Sequence, residues 1–130
     1  MTQERAWQRV GWTMMAGAIY DFVFAVAILF FTAPSAALLR LDLPEDTTYL
    51  RFNGVFLLML TGMYLFAAHA PRRYKGVVAV AIVGRLIGFI YLGSVWFEGR
   101  VTTFLLLAFA DLAFSLVHAT ALSAARRASA

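Results

Sequence analysis

Four long runs of apolar residues, separated by short polar segments, dominate the pattern of the chain. They cover residues 10–31, 49–68, 77–97 and 101–124. A helix needs ~20 residues to cross the ~30 Å hydrocarbon core of a bilayer, and each run is about that long. The pattern therefore predicts an all-α fold, in which residues 1–130 form a single integral membrane domain. Its architecture is an up-down-up-down bundle of four transmembrane helices.

The connection between the first two runs is unusually apolar for a loop. Pro34 and Pro44 interrupt residues 32–48, where leucines alternate with Arg40 and Asp42. This pattern is typical of a short amphipathic segment that lies in the membrane interface. Residues 44–47, which include two carboxylates, are typical of a helix start, because negative charge is favourable at the positive end of a helix dipole.

The composition agrees with a membrane protein and excludes several chemistries. Hydrophobic residues make up 62% of the chain, against about 45–50% apolar residues in ordinary soluble domains. The chain has no cysteine, which excludes disulfides and thiolate metal sites, and two distant histidines make no metal site. No catalytic or nucleotide-binding motif occurs. We therefore expect no metal and no cofactor, and we assign no catalytic residue.

The cations are distributed unequally between the two ends of the predicted bundle. They cluster at the ends of apolar runs and form no basic stripe, so the net charge of +4 does not indicate a nucleic-acid partner. One end carries Arg5, Arg9, Arg72, Arg73, Lys75, Arg126 and Arg127. The other end carries Arg40, Arg51 and Arg100, together with Asp42, Glu45, Asp46 and Glu98. The positive-inside rule then predicts that both termini are cytoplasmic.

Three charged residues lie about halfway along an apolar run, whereas Arg51 lies in the first turn of the second run. The three are Asp21, Arg85 and Asp111. An unpaired arginine at the bilayer midplane costs at least ~3 kcal/mol, and the midpoints of all four spans lie at one depth. We therefore expect both carboxylates to pair with Arg85. Two interpretations of such a cluster stay open: a ligand-binding or proton-linked site, and a packing element that sets the register of the helices.

Other polar residues extend this candidate site. His118 lies on the same face of the last span as Asp111 and Ser115. Asn53 lies inside the second span and needs a partner. Tyr91 in the third span and the other intramembrane tyrosines are candidates for lining a pocket. We predict that His118, Asn53 and Tyr91 are gating or orienting contacts beside the three charges.

Several short segments resemble the small bacterial four-span proteins of the DoxX-like and related families. These segments are residues 53–58, 64–68, 84–88 and 110–114. The resemblance implies a four-helix protein of the bacterial inner membrane, in families that are sometimes associated with redox or quinone-linked systems. No catalytic residues carry over from it.

The leading hypothesis is a non-enzymatic membrane protein, either an accessory subunit or a binder of a lipid-like or quinone-like molecule. One alternative is a proton-coupled transporter in which Asp21 and Asp111 are alternately protonated. Another is a lipid-modifying enzyme that uses His118 or an aspartate as its base. The expected partners are membrane lipid and either a larger complex or further copies of the chain. The glycines of spans two and three are candidate helix contacts, with Gly84 and Gly88 one turn apart.

Overall fold

The computed structural model describes all 130 residues and contains five α-helices and no strand. The helices are α1 (Gln3–Phe30), α2 (Thr32–Leu38), α3 (Thr48–His69), α4 (Lys75–Gly99) and α5 (Thr102–Ala128). All except α2 are long and apolar enough to cross a membrane. The predicted all-α, four-span fold is therefore confirmed.

The four long helices pack in alternating directions around α1 and α5. α1 packs along both α3 and α5, α5 also packs along α4, and α3 and α4 contact each other only sparsely. Near one end of the bundle, the indole Nε1 of Trp7 on α1 donates a hydrogen bond of 2.9 Å to the hydroxyl of Ser129, just after α5. Neighbouring helices are antiparallel, in agreement with the predicted up-down-up-down order.

The hydrophobic core occupies only one half of the bundle, the half that holds both termini. It consists of buried residues from the first parts of α1 and α4 and the last parts of α3 and α5. These are Ala6, Trp7, Val10, Met14, Ala18, Tyr64, Ala67, Val78, Ala81, Leu122 and Ala125. The apolar side chains of this half interdigitate, as in the close-packed interior of a soluble protein.

The other half of the bundle is loosely packed. On the far side of the three intramembrane charges, this half has only three buried residues: Ala25, Gly54 and Ala108. All three are small, so the helix backbones approach one another there without large side chains between them. A Cβ at Gly54 would lie 2.9 Å from Leu29 and 3.1 Å from Ile28. The larger side chains of this half are not buried against one another, and a cavity remains between the helices.

The connection between α1 and α3 lies over the loosely packed end. Its helix, α2, has no buried residue and ends at Leu38. Two residues later, Arg40 has a left-handed φ of 54°. The next amide, that of Leu41, donates to the carbonyl of Ala36 over 2.9 Å, which closes the helix end. The Thr103 hydroxyl of α5 also donates to the carbonyl of Leu39. The segment is thus attached to the bundle by hydrogen bonds rather than by burial.

The predicted start of α3 agrees with the structure. The Asp46 carboxylate accepts a hydrogen bond of 2.9 Å from the backbone N–H of Thr48, the first residue of the helix. Hydrogen bonds with Thr48 lower the pKa of Asp46 below its usual value. A carboxylate that stays ionised at this position favours helix initiation.

The closest approach of α1 to α3 generates a prediction for stability. A Cβ at Gly11 would lie 2.6 Å from the backbone carbonyl oxygen of Ala68, which cannot move aside without shifting α3. We expect Gly11→Ala to destabilise the bundle by about 1–3 kcal/mol, as overpacking does. The measurement is thermal unfolding of the purified protein in mild detergent.

Gly62→Ala is the matched control, because nothing lies within 4 Å of a Cβ at that position of α3. It removes a mid-helix glycine without overlap, and we expect its melting temperature to equal or exceed that of the parent. Equal melting temperatures for the two variants would contradict the packing of α1 against α3.

Candidate functional site

The three intramembrane charges meet at the boundary between the packed and the loosely packed halves. Arg85 on α4 donates from Nη2 to Oδ1 of Asp21 on α1 over 2.9 Å. It also donates from Nη1 to Oδ1 of Asp111 on α5 over 3.0 Å. The exposed fractions of the three side chains are 2% for Asp21, 8% for Arg85 and 16% for Asp111. The prediction that both carboxylates pair with Arg85 is confirmed.

Glycines beside the cluster allow the three helices to bring these groups together. A Cβ at Gly88, one turn after Arg85, would overlap the Asp111 carboxylate. A Cβ at Gly17, one turn before Asp21, would lie 3.6 Å from Nη2 of Arg85. Of the two glycines predicted as a close contact on α4, only Gly88 meets another helix, because nothing lies within 4 Å of a Cβ at Gly84.

Aromatic rings surround the guanidinium of Arg85. Its carbon lies 4.9 Å from the ring centroid of Phe114, 5.3 Å from that of Tyr20 and 5.6 Å from that of Tyr64. Cation–π contacts of this kind contribute about 2 kcal/mol or more each when they are desolvated. The sequence analysis did not assign a role to Phe114. The signal that could have identified it is the Asp-x-x-Phe spacing that occurs at both Asp21 and Asp111.

The pairing leaves several polar atoms of the cluster without a partner. Each aspartate uses one oxygen, and Oδ2 of Asp21 is buried without a hydrogen bond, as is Nε of Arg85. With both carboxylates ionised, the cluster carries one net negative charge. A buried polar atom without a partner costs about 1–3 kcal/mol. The cluster is therefore not a fully satisfied structural ion pair.

His118 lies on the packed side of the cluster and is fully buried. Its Nδ1 is 3.0 Å from the hydroxyl of Thr13, and that hydroxyl donates to the carbonyl of Val10 over 2.8 Å. The Thr13 hydroxyl has one proton, which it donates to Val10. It therefore accepts in its contact with His118, and Nδ1 is the donor. Nε2 of His118 is then an acceptor with no partner, and it lies 3.4 Å from the Cβ position of Gly17.

The remaining two candidates lie apart from the cluster. Asn53 is exposed, lines the cavity described below, and makes no hydrogen bond within the protein. Tyr91 is 65% exposed on the outer surface of α4 and does not line that cavity. Tyr91 lies six positions after Arg85, so its side chain points about a third of a turn around the helix axis away from the inward face. The structure therefore does not bring Tyr91 to the site.

A cavity of about 630 Å³ occupies the loosely packed half of the bundle. Asp21, Arg85 and Asp111 form its floor, and Arg40 and Asp42 lie at the opposite end beside α2. Most of its walls are apolar, from Tyr20, Phe24, Ile28, Leu50, Leu57, Leu92, Val101, Phe104 and Leu107. The volume falls within the ~300–1,000 Å³ of small-molecule sites in proteins.

Comparisons of the chain with known protein families, with functionally characterised proteins and with solved structures found no match. The resemblance to the DoxX-like families therefore stays a prediction.

The bridging position of Arg85 generates a prediction for stability. Arg85→Leu leaves two carboxylates in apolar surroundings, and removing one partner of a buried ion pair costs about 3–5 kcal/mol. Arg85→Lys keeps the charge, but a single ammonium does not have the two-pronged geometry that contacts both carboxylates. We expect the melting temperature in detergent to fall in the order parent, Arg85→Lys, Arg85→Leu.

Arg9→Leu is the control for a general loss of positive charge, because Arg9 is exposed and makes no ion pair. Its melting temperature should match that of the parent. An Arg85→Leu protein as stable as Arg9→Leu would show that the cluster contributes nothing to the folded state.

Proposed function

We propose that the chain binds a lipid-like or quinone-like molecule in the cavity above the charged cluster, without catalysing its conversion. One observation carries the proposal: a cavity of about 630 Å³ with apolar walls has its floor at the only charged residues near the middle of the spans. An amphiphilic molecule matches this arrangement, with its polar head on the floor and its apolar tail along the walls.

The distribution of side-chain size supports the proposal. Protein interiors are close-packed, and the terminal half of this bundle follows that rule. In the cavity half, the small residues Ala25, Gly54 and Ala108 hold the helices together while larger apolar side chains line an unfilled space. A bound apolar molecule supplies the contacts that this half lacks.

The helix arrangement also supports entry from the bilayer. α3 and α4 contact each other only sparsely, and both contribute to the cavity, through Leu57 and Leu92 among others. The molecule enters sideways between these two helices, so that its tail never leaves an apolar medium. The α2 segment lines the end of the cavity that is farthest from the charged floor.

We further propose that the protein lies in a bacterial inner membrane with both termini cytoplasmic. The excess of loop cations at the end with the termini supports this orientation. The charged floor then borders the packed cytoplasmic half, and α2 lies on the non-cytoplasmic side. Membership of a larger complex or a homo-oligomer is also proposed, because Gly62 and Gly84 leave open space on the outer surfaces of α3 and α4.

Proton-coupled transport is the second candidate function, and His118 favours it. Its Nε2 has no hydrogen-bond partner. A Cβ at Gly17 would lie 3.4 Å from this atom and 3.6 Å from Nη2 of Arg85, so both nitrogens lie beside Gly17. The carboxylates, His118 and Thr13 thus form a line of proton-binding groups from the cavity into the packed half. His118 does not line the cavity, so the geometry gives no support to a lipid-modifying enzyme that uses His118 as its base.

Filling the cavity should abolish binding. Leu107→Trp places a larger side chain into the wall beside Asp111, whereas Leu106→Trp adds the same ring to a position that is 64% exposed on the outside of α5. We expect native mass spectrometry after mild solubilisation to find a bound small molecule on the parent and on Leu106→Trp, and none on Leu107→Trp.

Equal occupancy of the two tryptophan variants would place the bound molecule outside the cavity. A parent protein that carries no small molecule, and that takes up none from added lipid extract, would overturn the proposal. The same spectra give the number of chains per particle, and a protein that is always a lone chain would contradict the oligomer and complex proposals.

Transport is tested by proton flux into liposomes that contain the purified protein and a pH-sensitive dye. If the second candidate is correct, Asp111→Asn abolishes flux, because an amide cannot bind and release a proton at neutral pH. Glu98→Gln, an exposed carboxylate at the end of α4, leaves the flux unchanged. Equal flux in the parent, in Asp111→Asn and in protein-free liposomes would exclude proton coupling.

A further inference from the structure

The charge balance of the cavity floor restricts which head group the cavity takes. Two carboxylates face one guanidinium, so the floor carries one net negative charge when both aspartates are ionised. No other lysine or arginine lies within the apolar spans at this depth. At the other end of the cavity, Arg40 and Asp42 cancel each other.

The groups packed around the cluster do not neutralise this charge. Tyr20, Tyr64 and Phe114 present uncharged rings to Arg85. The hydrogen bonds of Thr13 place a proton on Nδ1 of His118. Its Nε2 is buried with no acceptor for a second proton, so the neutral imidazole is the favoured form. Because an uncompensated charge is costly in a medium of low dielectric constant, the floor attracts a positive charge from outside the chain, either a proton or a cationic head group.

The two carboxylates differ in their access to the cavity. Asp21 is 2% exposed, whereas Asp111 is 16% exposed, and both line the floor. Asp111 is therefore the carboxylate that an incoming head group reaches first. Tyr20 lines the cavity on the neighbouring helix α1, and its ring offers a cation–π contact to a head group beside Asp111.

Hydrogen-bond counting alone does not select the head group, because the floor has unpaired groups of both kinds. Oδ2 of Asp21 is an unpaired acceptor, and Nε of Arg85 is an unpaired donor. Net charge separates the alternatives. A carboxylate or phosphate head adds a second negative charge to the floor, a carbonyl or hydroxyl head leaves the existing charge unchanged, and an ammonium head removes it.

We infer that the cavity takes a protonated amine with an apolar tail, and that its ammonium group binds Asp111. This inference rests on the proposed binding function and adds the chemical class of the head group. Asp21 acts as the permanent partner of Arg85, and Asp111 is shared between Arg85 and the ligand. The tail extends past Leu107 and Leu57 toward α2.

The test compares three probes with the same twelve-carbon tail: dodecylamine, dodecanol and dodecanoate. Alkylamines are protonated at pH 7, as lysine is. Binding to the purified protein in a neutral detergent is measured by titration calorimetry and native mass spectrometry. We expect dodecylamine to bind at least about tenfold more tightly than dodecanol, and dodecanoate to bind most weakly.

Two pairs of variants locate the effect. Leu107→Trp should remove binding of both dodecylamine and dodecanol, whereas Leu106→Trp should retain it. Asp111→Asn should remove the preference for the amine and retain dodecanol binding, whereas Glu98→Gln should keep the preference. The comparison of probes on the parent protein needs no variant, so it decides the inference even if Asp111→Asn does not fold.

The outcomes separate this inference from the proposed function. If dodecanol binds as tightly as dodecylamine and Leu107→Trp blocks both, the amine inference is wrong and the binding function stands. An amine preference that survives in Leu107→Trp would also overturn the inference, because the cation then binds elsewhere. If none of the three probes binds, the amine inference is wrong, and the proposed function is decided by the native mass spectra with lipid extract.

Discussion

Arg85 has to be neutralised at a depth where water cannot do it, and the rest of the bundle is compatible with that requirement. Its two Nη atoms contact carboxylates from two different helices, so the pairing sets the relative heights of α1, α4 and α5 together. Pairing by a single aspartate would set only two of them. Buried ion pairs often add little net stability, but this one specifies which arrangement of the helices is allowed.

The cluster also divides the bundle into halves with different physical properties. On the side of the termini, side chains are packed as in a soluble core. On the other side, small residues hold the helices together around a cavity. The charges thus lie where a rigid scaffold ends and an unfilled volume begins. A polar group at such a boundary is supported from one side and accessible from the other, which suits a binding site.

The fold and the charged cluster could be predicted because both depend on position along the chain. Four apolar runs of sufficient length determine four spans. Asp21, Arg85 and Asp111 each lie halfway along a span, which determines their common depth. What the sequence analysis missed depends on rotation about each helix axis and on side-chain size. Tyr91 faces outward because of its rotation about the axis of α4. The cavity exists because the buried residues of its half are small. Phe114 contacts Arg85 because it lies one turn from Asp111, a short-range spacing whose importance appears only when the helices are assembled.

The chain order of the three charges has a consequence for assembly during synthesis. Asp21 enters the membrane with the first helix, its cation follows 64 residues later on α4, and Asp111 comes 26 residues after that. The first helix therefore carries an acid without its counter-ion until the third long helix has been inserted, and that acid is protonated or near polar head groups in the meantime. Assembly of the bundle is thus coupled to a change in either the charge or the depth of Asp21 on its first helix.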